Sequence, residues 1–141
     1  MLRLRPLNAD AESWPIKCAG QTIGTKDEET DLSQLNLSGG DFEGAKIIGF
    51  KSINLDGADF SHANLRGVEI IADGGYGAAI ISAIETNFSY AILIDTSWGA
   101  EWAGAYGEGE LNFTDSNFDN ADFTGATFSA TKGGDDNIIG L

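Results

Sequence analysis

Cysteine, histidine and positive charge are all scarce in this 141-residue sequence. The one cysteine, Cys18, leaves no partner for an internal disulfide. With the one histidine, His62, it supplies neither a zinc ligand set nor a Cys/His nucleophile pair. Lys and Arg total 8 against 22 Asp and Glu, a formal charge of −14. That balance excludes direct binding to nucleic acid, because affinity for a phosphate backbone comes from Lys and Arg. It equally disfavours docking on anionic lipid. Long apolar runs are missing too: the longest, Ala78 to Ile84, falls far short of the ~20 residues that span a bilayer, so no membrane insertion is expected. Met1 to Pro6 holds basic residues with no apolar stretch behind them, which does not describe a signal peptide. What the sequence has in plenty is glycine, 19 residues, and apolar side chains, 42% of the chain. That is too hydrophobic for a disordered acidic tail, and the length suits one domain with a modest core.

The apolar residues follow a period of five. Ala58-Asp59-Phe60-Ser61-His62, Ala63-Asn64-Leu65-Arg66-Gly67 and Ala121-Asp122-Phe123-Thr124-Gly125 show it best. A large apolar centre follows a small residue two earlier and Asp or Asn one earlier. The centres fall into four blocks: Leu32, Leu37, Phe42, Ile47; Leu55, Phe60, Leu65, Ile70; Ala83, Phe88, Leu93, Trp98; and Phe113, Phe118, Phe123, Phe128. Asp or Asn precedes 10 of these 16 centres, a frequency that chance does not produce. Such internal repetition is the signature of stacked repeat architectures.

The pattern resembles the pentapeptide-repeat family, whose consensus is A-[DN]-[LF]-x-x. The resemblance runs from Thr30 to Ala130. It implies an all-β fold, a right-handed quadrilateral β-helix (a solenoid) with four pentapeptides per coil, one per side. The centre and the residue two before it would point inward, and the other three outward. In the third block Ala83 departs from the large centre, and Ile81 is expected to supply the missing volume. On this reading residues 30–130 form about four coils, 30–49, 53–72, 81–100 and 111–130, interrupted by insertions 50–52, 73–80 and 101–110. Because four pentads complete a turn, every insertion should leave at the same corner as a ridge of loops. Asp and Asn before the centres suit corners, where their side chains bond nearby backbone. Residues 1–29 are expected to be an N-terminal capping segment, with Trp14 to Ile23 over the first coil. Residues 131–141 are expected to be a C-terminal cap or tail, turning at Gly133-Gly134 and anchored by Ile138, Ile139 and Leu141. Dimerisation through the C-terminal end is common in the family, so a homodimer there is the alternative for that tail.

Catalytic and metal chemistry find little support. Asp115-x-Asn117-x-Asp119 opens like a calcium loop, but Asn120 and Ala126 stand where Gly and Glu are required. Asp73-Gly74-Gly75-Tyr76-Gly77 occurs once and lacks the downstream Asp of a calcium-binding repeat. A filled column offers no concave pocket in which one carboxylate could be shifted against another. His62 reads as an exposed bystander and Cys18 as a packed thiol. No enzyme, cofactor or metal is expected.

Two surface features stand out. Gly67 to Thr131 carries ten acids and neither Lys nor Arg. Among them are Glu85, Asp95, Glu108, Glu110, Asp115, Asp119 and Asp122. The plain reading is a solvated face that keeps the column soluble. The sharper one is DNA mimicry, as in the topoisomerase-protecting (gyrase-interacting) branch of the family, although four coils would span only about five base pairs. The second feature is apolar. Ile84, Tyr90, Ile92 and Ile94 fall on outward positions of the third coil, as do Ile48 and Ile71 on one side of the first two. The insertions add Phe50, Tyr76, Ile80, Trp102 and Tyr106. Clustered exposed apolar surface marks interfaces, and aromatics make good anchors. The sequence therefore points to a non-enzymatic protein-binding or scaffold module, an accessory subunit of a larger assembly, whose partner is another protein. It would bind through the aromatic ridge and the third coil. The default location is soluble and cytoplasmic. The family's abundance in cyanobacteria makes the thylakoid lumen or an organelle the alternative, after removal of a targeting segment.

Overall fold

Each five-residue unit has to do two things, run extended for a residue or two and then turn. The computed structural model describes residues 2–3, 17–101, 108–132 and 135–141, and it shows how the unit does both. The carbonyl of a centre accepts the N–H three residues on, as in Phe60 to Ala63 at 3.0 Å and Phe88 to Ala91 at 3.0 Å. The residue two after the centre then has positive φ, the third position of a type II turn. Glycine fills that position at Gly39, Gly44, Gly57, Gly67 and Gly125, but Gln34, His62, Glu85, Tyr90, Asp95, Asp115 and Asn120 occupy it as well. The Asp or Asn before the centre completes the corner. All ten of them accept the N–H two residues on, for example Asp59 from Ser61 at 2.9 Å and Asn117 from Asp119 at 2.9 Å.

Stacked in parallel, these units build a four-sided β-solenoid of about four coils. The register is continuous: Thr30 lies opposite Ile53, Ile53 opposite Ile81, and Ile81 opposite Leu111. The first and fourth sides are six-stranded sheets. The second and third sides hold together through single bridges, Asn36–Asp59–Asn87–Asn117 and Asp41–Asn64–Ile92–Asp122. The fourth side differs. No positive φ follows its centres Ile47, Ile70, Trp98 and Phe128, and the strands Lys46–Phe50, Glu69–Asp73, Ser97–Glu101 and Thr127–Lys132 run on.

Inward residues are buried as their spacing predicts. Leu37, Phe42, Ile47, Leu55, Leu65, Ile70, Leu93 and Trp98 are essentially inaccessible. Ala83 and Ile81 are both fully buried. Trp98 in the same coil packs edge-on against Phe88 and Phe113. Its indole N–H reaches the buried hydroxyl of Thr96 at 3.2 Å, so the large side chain brings no unsatisfied donor inside. Phe60, Phe88 and Phe118 stack face to face with centroids 5.4 and 5.1 Å apart.

Two ends depart from a simple column. Lys17 to Ile23, part of the Trp14–Ile23 segment read as an N-terminal cap, extends the ladder across the end of the first coil. Lys17 bridges to Asp41, and Thr22–Ile23 pairs with Lys46–Ile47. Leu2–Arg3 pairs with Thr30–Asp31 on the neighbouring side. At the other end Ile138–Ile139 pairs with Leu111–Asn112, and Asp135–Asp136 folds back antiparallel on Thr131–Lys132. Trp14 to Ile16 and the turn expected at Gly133-Gly134 lie outside the described residues.

Candidate functional site

The insertions leave between the fourth and first sides, and they begin as strand rather than loop. Phe50, Asp73 and Glu101 continue the fourth-side ladder in register, while Ser52, Ile80 and Glu110 continue the first. Successive insertions also bond to each other. Phe50 N–H donates to the Glu28 carbonyl (2.7 Å), Lys51 N–H to that of Asp73 (2.9 Å), and Gly74 N–H to that of Glu101 (2.7 Å). The ridge is therefore a fin built from the same ladder as the column. Tyr76 stands at its edge, 86% exposed, on a turn closed by Gly77 N–H on the Gly74 carbonyl and Gly75 N–H on the Asp73 carboxylate. Ile80 is exposed and Phe50 half-buried, with the Lys51 ammonium 5.3 Å above the Phe50 ring. Trp102 and Tyr106 lie outside the described residues.

The remaining apolar candidates sit elsewhere. Tyr90 lies in the turn that ends the second side of the third coil, the corner diagonally across from the fin; Ile92 follows at the start of the third side, and Ile94 lies in the turn that ends that side. Tyr90 is 55% exposed and Ile92 39%, while Ile94 is half-buried. Ile84 is half-buried on the first side, where its N–H bonds the Asp56 carboxylate at 2.8 Å. Ile48 and Ile71, on the fourth side, are half-buried as well. The candidates thus do not form one surface: the most exposed of them, Tyr76 and Ile80 on the fin and Tyr90 and Ile92 near the diagonal corner, stand on opposite parts of the column.

His62, which the sequence offers only as an isolated outward residue, belongs to the second corner. Its ring and that of Tyr90 stack with centroids 4.9 Å apart and planes 2° from parallel. The signal was present, since both occupy the position two after a second-side centre in adjacent coils. Both also have positive φ, 58° each, a conformation that is a genuine outlier for a bulky residue such as Tyr.

The acids circle the column. Glu85 and Asp115 share the corner after the first side, Asp119 lies on the second side, Asp122 and Asp95 on the third, and Glu108 and Glu110 at the fin. All are exposed except Glu110, which is half-buried. Asp122 is held below the usual carboxylate range, first by the Thr124 hydroxyl bond at 2.7 Å, then by the Thr124 N–H at 3.0 Å and the nearby Arg66 charge. Cys18 goes the other way: burial, and after it the Asp41 carboxylate, raise its thiol above the ordinary 9.0. A nucleophilic cysteine needs the reverse. Among the described residues no three of His, Cys, Asp and Glu gather as a metal site. No described helix is long and apolar enough to cross a membrane.

Comparison with known proteins follows the same line. The sequence profile for pentapeptide repeats matches residues 50–71 and 110–132, with 8 copies. No curated protein sequence matches the chain. Among solved structures the chain is similar to HetL, a pentapeptide repeat protein involved in heterocyst differentiation regulation from the cyanobacterium Nostoc sp. Strain PCC 7120. That pair shares 17% identity over 79% of this chain and 57% of HetL, with a TM-score of 0.32. It is also similar to a trypsin-treated form of QnrB1, a plasmid-mediated fluoroquinolone resistance protein, at 17% identity over 80% of this chain and 70% of that one, TM-score 0.26. The chain spans little more than half the length of HetL. The five-residue register, the ten corner Asx bonds and the profile match agree, and the chain carries the repeats of the pentapeptide-repeat family.

Proposed function

We propose that this protein is a non-enzymatic scaffold that holds partner proteins at two opposite corners of a rigid column. The observation that carries the reading is the distribution of exposed apolar side chains. Tyr76 and Ile80 stand on the fin, Tyr90 and Ile92 near the diagonal corner, and in each pair the isoleucine belongs to the hydrogen-bonded ladder while the tyrosine stands on an adjoining turn. Rigid anchors lose little entropy when a partner covers them. Two corners facing opposite ways cannot serve one flat interface, so the arrangement suits bridging between two surfaces.

The test is capture from source lysate by four forms of the protein: wild type, Tyr76→Ser with Ile80→Ser, Tyr90→Ser with Ile92→Ser, and all four changes. Each double variant should lose a different set of bound proteins, and the losses should persist at high salt. Retention of every partner by the quadruple variant would sink the reading.

A second reading concerns the C-terminal end. Phe118, Phe123 and Phe128 are only half-buried there, and Ile139 and Leu141 are exposed. A homodimer across that face would cover them, and deletion of residues 138–141 should then lower the mass in solution. DNA mimicry of a topoisomerase substrate has weaker support, since the acids circle the column and do not track one face. It predicts that Asp115→Lys, Asp119→Lys and Asp122→Lys relieve inhibition of gyrase supercoiling.

A further inference from the structure

The upper rim of the fourth coil is an open ladder on two of its sides. In each lower coil the second side lends three backbone bonds to the coil above. From the third coil, Phe88 N–H donates to the Asn117 carbonyl at 2.7 Å and Tyr90 N–H to that of Asp119 at 2.9 Å, while the Thr86 carbonyl accepts Asn117 N–H at 2.9 Å. The third side repeats this from Leu93, Asp95 and Ala91. The equivalent groups of the fourth coil are the N–H of Phe118, Asn120, Phe123 and Gly125 and the carbonyls of Ser116 and Ala121. None of them has a partner among the described residues. The first side, by contrast, is closed by the chain itself, with Phe113 N–H on the Ile139 carbonyl at 2.7 Å. An unpaired edge of this kind is a template for another strand. The side chains follow the backbone. Phe60, Phe88 and Phe118 form one pile, yet Phe118 and its neighbour Phe123, 5.1 Å away, are only half-buried.

We propose that this rim binds an extended basic segment of a partner protein, which adds a parallel strand to the second and third sides and carries two aromatic residues five apart. The spacing is dictated by the ladder, because each centre is covered by the centre of the next coil and Phe118 and Phe123 are five apart. The aromatic choice follows from the pile, where another ring covers Phe60 at 5.4 Å and Phe88 at 5.1 Å. The charge follows from the coil itself. Asp115, Asp119 and Asp122 are exposed on it, and neither Lys nor Arg occurs from Gly67 to Thr131. In strand addition of this kind main-chain bonds give the affinity and the side chains between them give the specificity. A second copy meeting rim to rim is the poorer occupant. Each rim offers four N–H groups against two carbonyls, so two rims cannot pair all their donors, and each chain carries −14. The site is separate from the two corners and does not depend on them.

The experiment is an NMR titration of the intact protein with the blocked peptide Lys-Ala-Asn-Phe-Lys-Gly-Ala-Asn-Phe-Lys-Gly-Lys. One control has the same composition with its phenylalanines four apart, Lys-Ala-Asn-Phe-Lys-Ala-Asn-Phe-Lys-Gly-Gly-Lys. The other is the first peptide with Glu for every Lys. The first peptide should shift the amide signals of Phe118, Asn120, Phe123 and Gly125 and slow their exchange with solvent, while the signals of Tyr76 and Tyr90 stay in place. The four-spaced peptide should bind about tenfold more weakly, since only one of its phenylalanines can seat with its backbone bonds made. The Glu peptide should also bind about tenfold more weakly, a gap that closes as salt is raised. Asp115→Lys with Asp119→Lys, both at exposed positions, should reverse the preference between the Lys and Glu peptides. Phe118→Ala should weaken the first peptide about fivefold through the lost ring contact. Melting temperatures check that it folds, and the charge-reversed variant carries the test if it does not. Failure of the first peptide to bind, equal binding of the five- and four-spaced peptides, or shifts confined to Tyr76 or Tyr90 would overturn the assignment. So would slow exchange of the four rim amides in the free protein. With a doubled mass in solution that result gives the rim to a second copy, and with a monomer's mass to the chain's own residues.

Discussion

Phe88 and Phe118 occupy the same slot in successive coils, stacked face to face at 5.1 Å with their planes parallel. Phe88 is 1% exposed, whereas Phe118 is half-buried, along with Phe123 and Phe128 in the same coil. The repeat makes these positions chemically equivalent, so the difference comes from what lies above each one. In a stacked array each coil is stabilised by its own contacts and by its two neighbours. Among the described residues only Ile138–Ile139 adds a parallel strand above the fourth coil, on the first side. Phe113, on that side, is fully buried; the three phenylalanines on the other sides are not.

This contrast is most severely tested by truncation. Phe88→Ala should cost about 3–5 kcal/mol, as for other buried aromatics. Phe118→Ala should cost about half that, because part of its surface already faces water. Chemical denaturation measures both. Equal losses would mean that the terminal coil is covered in solution, as a C-terminal dimer requires.

The corner bonds offer a gentler version of the same comparison. Asn87 is half-buried and holds Ser89 N–H at 3.0 Å; Asn117, one coil on, is exposed and holds Asp119 N–H at 2.9 Å. Asn87→Ala should destabilise by about 1 kcal/mol and Asn117→Ala by less, since water can replace the lost acceptor at an exposed site. A larger loss at Asn117 would contradict the view that burial sets the value of these turns.

Smaller still is the backbone cost at the left-handed position. Glu85 and Asp115 share one row, with φ of 54° and 58°. Replacing Glu85 by Gly should raise stability by up to about 1 kcal/mol, the penalty of that conformation less the extra chain entropy of glycine. Asp115→Gly should add less, because Asp tolerates the conformation better. A loss of stability at either site would show that the side chain makes a contact worth more than the strain.

At the opposite end of the stack, Cys18 should react slowly with thiol reagents near pH 8 when folded and quickly when unfolded. Its folded pKa is raised, so the folded state favours the protonated thiol. That contribution is complete below the unfolded value and is lost as pH rises through the folded one. Stability should therefore decline on the alkaline side, and Cys18→Ala should lessen the decline.

Much of this was legible beforehand. The inward positions follow from centres five apart, and the corner bonds follow from Asp or Asn placed before them. The straight fourth side was not legible in the same way: its centres follow Lys46, Glu69, Ser97 and Thr127, but Ser82 and Ile92 also precede centres and the chain turns after them, at Glu85 and Asp95. The ladder below the first coil was harder to see. Cys18 and Ile23 keep the five-residue spacing, but two units without Asp or Asn carry too little signal. The candidate surface was legible as a set of residues, not as a place. Spacing identifies Tyr76, Ile80, Tyr90 and Ile92 as outward, yet only the four-sided closure sets the first two diagonally across from the others.

The sequence alone therefore determined which side chains face in, where the chain turns and where the insertions leave. Each of those follows from chemistry within about five residues, a carbonyl and the N–H three on, or a carboxylate and the N–H two on. The tertiary structure decided exposure and company, which depend on residues a whole coil away. Ile71 reads as exposed, but it lies against Gly99 of the next coil, where an added methyl would stand 3.1 Å from its side chain. His62 reads as solitary and is stacked on Tyr90. The offset between coils changes with every insertion, so neighbours on the surface are set by the closed ladder and not by any local pattern.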